Sequence, residues 1–211
     1  MDGTGSTLSA RSRRDASVGG PERELRWASR EGVRSGRRAG PQVEAVEIDL
    51  EGELAPDLRT ALEYWRAKKG ERLAPARADI DPVDIAALLP RVMLVDVSAD
   101  PLEFRYRLAG TGIVRIHGLE LTHTRPRDLL PAAYGELVHR HYEDAVARRA
   151  PLAHRFLLEL EAQRCGYFRI ILPLSDDGAC INRLMTVASY EEGTQALCDC
   201  FRSARGGEAR R

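Results

Sequence analysis

Five histidines are the side chains of this 211-residue sequence best suited to bind a metal or transfer a proton. His139 and His141 are separated by one residue, a spacing that suggests a pair of metal ligands. A helix is predicted there, and positions two apart on a helix point about 200° apart, so the two imidazoles cannot share one ion. Four cysteines also occur, but without paired CxxC spacing. We therefore expect no metal site.

His154 and His117 are candidates for a general base or for polar groups in a binding pocket. His154 alternates with Leu152 and Phe156 on the apolar side of a predicted strand. A buried histidine with one satisfied hydrogen bond would explain that position, and so would a polar anchor in a ligand pocket. No acid, nucleophile or metal partner accompanies either base in the sequence, so we predict that the chain is not an enzyme. A small enzyme using one of them is the alternative.

The glycine pair in RYRLAGTGIVRIHG, residues 105–118, suggests a phosphate-binding loop. A dinucleotide-binding fingerprint needs a third glycine where this chain has Arg115, and a long helix after it. A P-loop needs Lys followed by Ser or Thr, and neither follows Gly112. We predict instead a turn at which the chain leaves a strand and enters a short helix.

The elements that must position these residues follow from the hydrophobic periodicity. Apolar residues spaced three and four apart predict a helix over 56–69, and the same spacing predicts a longer one over 133–149. Two strands precede the longer helix and three follow it, the last two joined by an Asp-Gly turn. Sequential hairpins predict an α+β fold: a five-stranded antiparallel sheet with helices on one face, preceded by an N-terminal helix.

The two ends of the chain differ in composition from the part between them. Residues 1–41 carry nine arginines and five acidic side chains, a net charge of +4. We predict a disordered basic arm over 1–50, an ordered domain over 54–193 and a polar tail over 194–211. The remainder is mildly acidic, which does not favour nucleic-acid binding. Without a signal peptide or a membrane span in the sequence, we expect a cytoplasmic protein.

Four motifs carry a resemblance to a known family. The sequence contains PARADIDP from Pro75, LLP from Leu88, FRYRLAGT from Phe104 and LPLSDDG from Leu172. Together they resemble a bacterial PAS domain subfamily typical of alphaproteobacteria, over about residues 54–193. The resemblance implies a stand-alone sensory or regulatory module. Such a module binds a small ligand, a protein partner or both, and signals in trans to a signalling protein. A scaffold whose pocket is filled by its own side chains is a further alternative.

The resemblance also implies where a ligand and a second copy would bind. A PAS ligand lies between sheet and helices, so we predict a pocket lined by Ile113, Ile116, His117, Tyr142, His154, Phe156 and Ile170. Helices preceding PAS cores often pair, and we predict a homodimer interface at Leu58, Leu62 and Trp65, although packing on the chain's own sheet would also bury them. Some PAS proteins hold haem through a histidine of the long helix, where His141 is the candidate. No cysteine occurs in residues 110–150, so flavin-adduct chemistry is not expected.

Overall fold

The structure is a computed structural model that describes residues 42–160, 163–190 and 194–208. Six strands are present there: β1 Gln42–Ile48, β2 Val92–Ala99, β3 Leu102–Ala109, β4 Leu152–Leu160, β5 Gln163–Leu174 and β6 Arg183–Ser189. They form one sheet in the order β1-β4-β5-β6-β2-β3, and every neighbouring pair is antiparallel.

In the same described ranges, four α-helices accompany the sheet: α1 Pro56–Lys69, α2 Thr111–His117, α3 Ala132–Arg148 and α4 Thr194–Glu208. Helices α2 and α3 lie between β3 and β4 in the chain, as predicted, and α1 precedes the five strands β2–β6. The predicted α+β fold is therefore confirmed, although the sheet has six strands and not the predicted five, because β1 was not predicted. Among the residues that the structure describes, no helix has the length and apolar character needed to span a bilayer.

The alternation of side chains along β5 defines two faces of the sheet. Arg169 lies opposite His154 of β4 in the register, and both side chains point to the face that α3 and α4 cover, here called the inner face. Ile170, the next residue, points to the opposite, outer face. On that face the Ser189 hydroxyl donates a hydrogen bond to Asp57 at the start of α1, over 3.2 Å. Helix α1 therefore packs on the outer face.

The apolar stripe of α1 is part of the chain's own core. Leu58, Leu62 and Trp65 are at most 3% exposed within the single chain. The Trp65 Nε1 atom donates a hydrogen bond to the carbonyl oxygen of Pro173 in β5, 2.7 Å away. The predicted dimer interface at these three residues is therefore wrong, because side chains that fill the chain's own core cannot contact a second copy.

Strand β1 corrects the predicted extent of the basic arm. The arm was expected to reach residue 50, yet Gln42–Ile48 pairs along its whole length with β4. Val43 and Ala45 pack against the core, and Glu47 accepts a hydrogen bond from Arg148 of α3 at 2.8 Å. Pairing with β1 also covers an edge of β4 that would otherwise present unpaired backbone groups. The rest of the predicted arm, residues 1–41, lies outside the described residues.

Helix α4 corrects the predicted polar tail. Its apolar residues recur three and four apart, and the buried ones are Leu197, Cys198, Cys200, Phe201 and Ala204. This stripe packs against α2, β4 and β5, while Arg202 pairs with Asp199 on the exposed side at 2.7 Å. The sequence suggested a fraying tail because the residues after Gly193 become polar and rich in arginine. Residues 209–211 of the predicted tail lie outside the described residues.

The glycine pair is explained by a close approach of two backbone segments. Strand β3 ends at Ala109 and α2 begins at Thr111, so the predicted turn from strand to short helix is confirmed. A Cβ atom on Gly110 would lie 2.3 Å from the carbonyl oxygen of Leu89. A Cβ atom on Gly112 would lie 2.8 Å from the carbonyl oxygen of Pro90. Only glycine permits these close contacts, and they explain the glycine pair without a phosphate site.

Candidate functional site

A small cavity lies between the inner face of the sheet and helices α2 and α4. The alternation of β2, β3, β5 and β6 brings side chains from one face of the sheet to its floor. Its volume is about 20 Å³, room for about one water molecule. Residues that line it include Tyr106, Ile113, Ile116, His117, Tyr134, Tyr167, Arg169, Ala188, Leu197 and Phe201.

Among the described residues that line the cavity, Arg169 is the one cation, and its side chain is only 4% exposed. Its guanidinium lies over the rings of Phe156, at 4.7 Å, and Tyr142, at 5.2 Å. Nη2 is 3.2 Å from His141 Nδ1, while the buried Nε atom has no hydrogen-bond partner. Within the described residues, no carboxylate forms an ion pair with Arg169. A buried guanidinium normally has an anionic partner, so this arrangement leaves a charge uncompensated.

Tyrosine hydroxyl groups surround the guanidinium. Tyr134 and Tyr167 hydrogen-bond to each other at 2.7 Å, whereas the buried hydroxyls of Tyr106 and Tyr142 have no partner among the described residues. Burial raises the pKa of Tyr106 well above its ordinary value and that of Tyr134 to about 12. Tyr106 and Tyr134 therefore stay protonated and neutral, so they can donate hydrogen bonds but cannot neutralise Arg169.

Three buried histidines near the cavity remain uncharged. The rings of His141 and His154 stack at 3.7 Å with an angle of 8° between their planes. Burial first, and the neighbouring Arg169 second, lower the pKa of His141 to about 2 and that of His154 to about 3. Burial, with a smaller effect of Arg205, lowers the pKa of His117 to about 4. Neutral imidazoles beside an arginine can accept or donate hydrogen bonds without adding charge.

A second cavity, with a volume of about 80 Å³, adjoins the first. The two share His117, Leu129 and Phe201 in their walls. The Phe201 ring lies 4.3 Å from that of His117 and 5.1 Å from that of Tyr134. The second cavity also includes Arg205, which follows Phe201 by one helical turn. Phe201 therefore forms part of the wall between the two spaces.

The predicted pocket residues fall into three groups. Ile113, Ile116 and His117 line the cavity, and whether they contact a ligand stays a prediction. Tyr142, His154 and Phe156 are on the inner face but lie beyond the lining, where they contact Arg169 or its neighbours. The prediction that Ile170 lines the pocket is wrong. The alternation of side chains along β5 turns Ile170 to the outer face and places Arg169 in the cavity instead.

The most important residues that the sequence analysis missed are Arg169, Tyr134, Tyr167 and Phe201. One pattern could have identified the first: in YFRIILPL an arginine stands inside a continuous apolar strand. A charge in that position is buried or marks a functional group. Phe201 was missed because its helix was not predicted.

The histidines considered as ligands have different surroundings. His139 Nε2 lies 3.3 Å from Glu143 one turn later, whereas His141, the candidate for haem ligation, stacks on His154. In the part of the chain that the structure describes, no three His, Cys, Asp or Glu side chains converge on a point where a metal ion could bind.

This chain is similar to known proteins in its sequence and in its fold. The sequence matches the PAS domain family over residues 55–185. A solved structure described as an RNA-binding light-oxygen-voltage receptor aligns with a TM-score of 0.40 and 10% sequence identity. The alignment covers 81% of this chain and 44% of that chain, so this chain spans less than half the receptor's length. No curated protein matches the sequence.

The family match covers more than half of the chain. It begins with α1, includes the strands β2–β5 with both helices that follow β3, and ends within β6. Arg169, Tyr134 and Tyr167 therefore lie inside the matched region, whereas β1 and α4 lie outside it. The chain belongs to the PAS domain family, whose members are typically sensory or regulatory modules.

Proposed function

We propose that this chain is a sensory PAS module that binds a small molecule in the cavity beside Arg169 and signals through α4 to a separate protein. The observation that carries the proposal is the shared wall: Leu197 and Phe201 of α4 line the same cavity as the inner face of the sheet. A molecule larger than one water cannot enter without moving these side chains. Occupancy would therefore change the packing of α4.

Two features make α4 a suitable output element. It lies outside the residues matched by the family, and its buried contacts are made mainly with α2 and β5. Helix α2 is itself short and is separated from β3 by the closely packed Gly110. Because a short stripe of apolar contacts holds α4, its displacement requires less free energy than opening the sheet.

The partner and the assembly are also part of this proposal. A signalling protein in the cytoplasm would recognise α4, or the surface that α4 uncovers, and nucleic acid and membranes would not be targets. A homodimer would use a surface other than the stripe of Leu58, Leu62 and Trp65, since that stripe is buried in each chain.

Filling the cavity tests the proposal. Ala188 lines the cavity on β6 and is 5% exposed, so Ala188→Phe is expected to occupy the space that a ligand needs. We expect native mass spectrometry of freshly purified wild-type protein to show a small-molecule adduct that Ala188→Phe lacks. The matched control Ala188→Ser keeps the cavity open and should retain the adduct. Circular dichroism would establish that both variants are folded, since overpacking commonly costs about 1–3 kcal/mol.

The alternatives give different results in the same experiment. A scaffold with a self-filled pocket would show no adduct in any form of the protein and no change on addition of a compound library. An enzyme would convert the bound compound, and the mass of the recovered molecule would change with time. An adduct that survives in Ala188→Phe would place the binding site elsewhere and contradict the proposal.

A further inference from the structure

We propose that the ligand of the cavity is a small monocarboxylate with an apolar body, whose carboxylate pairs with Arg169 and whose body takes the place of the Phe201 ring. This inference rests on the proposed function and names the chemical class of the molecule that is sensed. It depends on three features of the cavity: an uncompensated cation, unpaired hydroxyl donors and apolar walls.

The charge of the ligand follows from the surroundings of Arg169. The side chain is 4% exposed, yet within the described residues its polar contact is a single nitrogen, His141 Nδ1 at 3.2 Å. The Nε atom is buried and unpaired. A planar carboxylate accepts two parallel hydrogen bonds from a guanidinium edge, and this geometry also restores the missing opposite charge. Around the first cavity Arg169 compensates one negative charge, whereas Arg205 lies in the wall of the adjoining cavity that the body of the ligand would enter.

Hydroxyl groups are available for the remaining lone pairs of a carboxylate. The Tyr106 hydroxyl is buried without a partner, and Tyr106 lines the cavity together with Arg169. Burial raises the pKa of this phenol well above its ordinary value, so it can only donate a hydrogen bond to an anion at neutral pH. A buried donor left unpaired costs free energy that a bound carboxylate oxygen would restore.

The body of the ligand follows from the rest of the lining. Ile113, Ile116 and Leu197 present only carbon atoms, and the present volume of about 20 Å³ holds no more than a water molecule. The adjoining cavity adds about 80 Å³ on the other side of Phe201, and its wall combines four leucines with Thr124, Asp128 and Arg205. A ring or short alkyl chain attached to the carboxylate would therefore fit when Phe201 moves aside, which joins the two spaces. Recognition of the ligand and displacement of α4 are then the same event.

Calorimetric titration with matched probes tests the inference. Benzoate carries the proposed charge and body, while benzamide has nearly the same shape without the charge. We expect wild-type protein to bind benzoate about 10- to 100-fold more tightly than benzamide, the range typical of a charge-assisted pair. Inorganic phosphate should bind more weakly than benzoate. Arg169→Met should remove the preference for benzoate over benzamide.

A matched arginine provides the control. Arg155 on the neighbouring strand β4 lies over the ring of Phe168, at 5.7 Å, on the outer face. Arg155→Met should leave the benzoate affinity unchanged. The melting temperature of ligand-free Arg169→Met should equal or exceed that of wild type, because replacing an uncompensated buried charge by an apolar side chain relieves its desolvation. A lower melting temperature would show that Arg169 is already satisfied and would contradict the inference.

Other outcomes separate this inference from the proposed function. Equal affinities of wild-type protein for benzoate and benzamide overturn the carboxylate assignment, whatever the variants do, and so does tighter binding of phosphate. If an adduct is found that Ala188→Phe lacks, but the bound molecule is neutral, the proposed ligand class is wrong and the proposed sensory function is retained. If neither probe binds and no adduct depends on Ala188, the inference and the proposed function both fail.

Discussion

Trp65→Ala is expected to lower the free energy of unfolding by about 3–5 kcal/mol, the range for truncating a large buried aromatic side chain. The indole is 3% exposed, and its Nε1 atom donates to the Pro173 carbonyl oxygen, which the substitution would leave without that donor. Urea denaturation of the two proteins gives the difference directly. The oligomeric state of the folded variant, measured by sedimentation, should match that of wild type.

A control on the same helix separates core packing from helix propensity. Glu63 is exposed on α1, and Glu63→Ala should change stability by less than about 0.5 kcal/mol. If Trp65→Ala instead shifted a dimer towards monomer without loss of stability, the outer-face packing of α1 would be wrong and the interface predicted from the sequence would be restored.

Acidification from pH 6 to pH 5 is expected to cost roughly 3 kcal/mol of stability. His117, His141 and His154 have pKa values of about 4, 2 and 3 in the folded protein, against an ordinary value of 6.5. Between pH 6.5 and about pH 4 these histidines bind protons in the unfolded chain but not in the folded chain. Stability is therefore lost as the pH falls below 6.5. Each histidine contributes up to about 1.4 kcal/mol per pH unit.

Asp128 and Asp176 contribute little in this pH window. Hydrogen bonds and ion pairs hold the pKa of Asp128 and Asp176 below the ordinary value of 3.8, so these groups are ionised in both states above about pH 5. Urea denaturation at both pH values measures the loss of unfolding free energy on acidification. This loss should be about one third smaller for His154→Gln than for wild type. An unfolding free energy equal at pH 6 and pH 5 would mean that the three histidines are not buried and neutral.

Much of the fold could be predicted from the sequence because its local patterns agree with the final packing. The spacing of Leu58, Leu62 and Trp65 predicts α1, and the Asp-Gly turn predicts the hairpin of β5 and β6. Periodicity shows that a face is apolar but not what covers it, which is why the α1 stripe was assigned to a dimer.

The candidate site was only partly predictable. Ile113, Ile116 and His117 were placed in the lining, since the helix after the glycine pair must cover the sheet. Ile170 was chosen over Arg169 because apolar residues are expected inside, whereas the register of β4 and β5 decides which residue faces inwards. Strand β1 and helix α4 were missed because their apolar residues stand among charged ones, and tertiary packing rather than composition orders them.

The central claim is that occupancy of the Arg169 cavity changes the packing of α4. Hydrogen exchange of the backbone amides in α4, with and without saturating benzoate, tests it most directly. We predict exchange in α4 at least about tenfold faster when benzoate is bound, because Phe201 leaves its place against His117 and Tyr134. Amides of α1, on the outer face, should exchange unchanged. If calorimetry shows benzoate bound while α4 exchanges as in the free protein, the claim is contradicted.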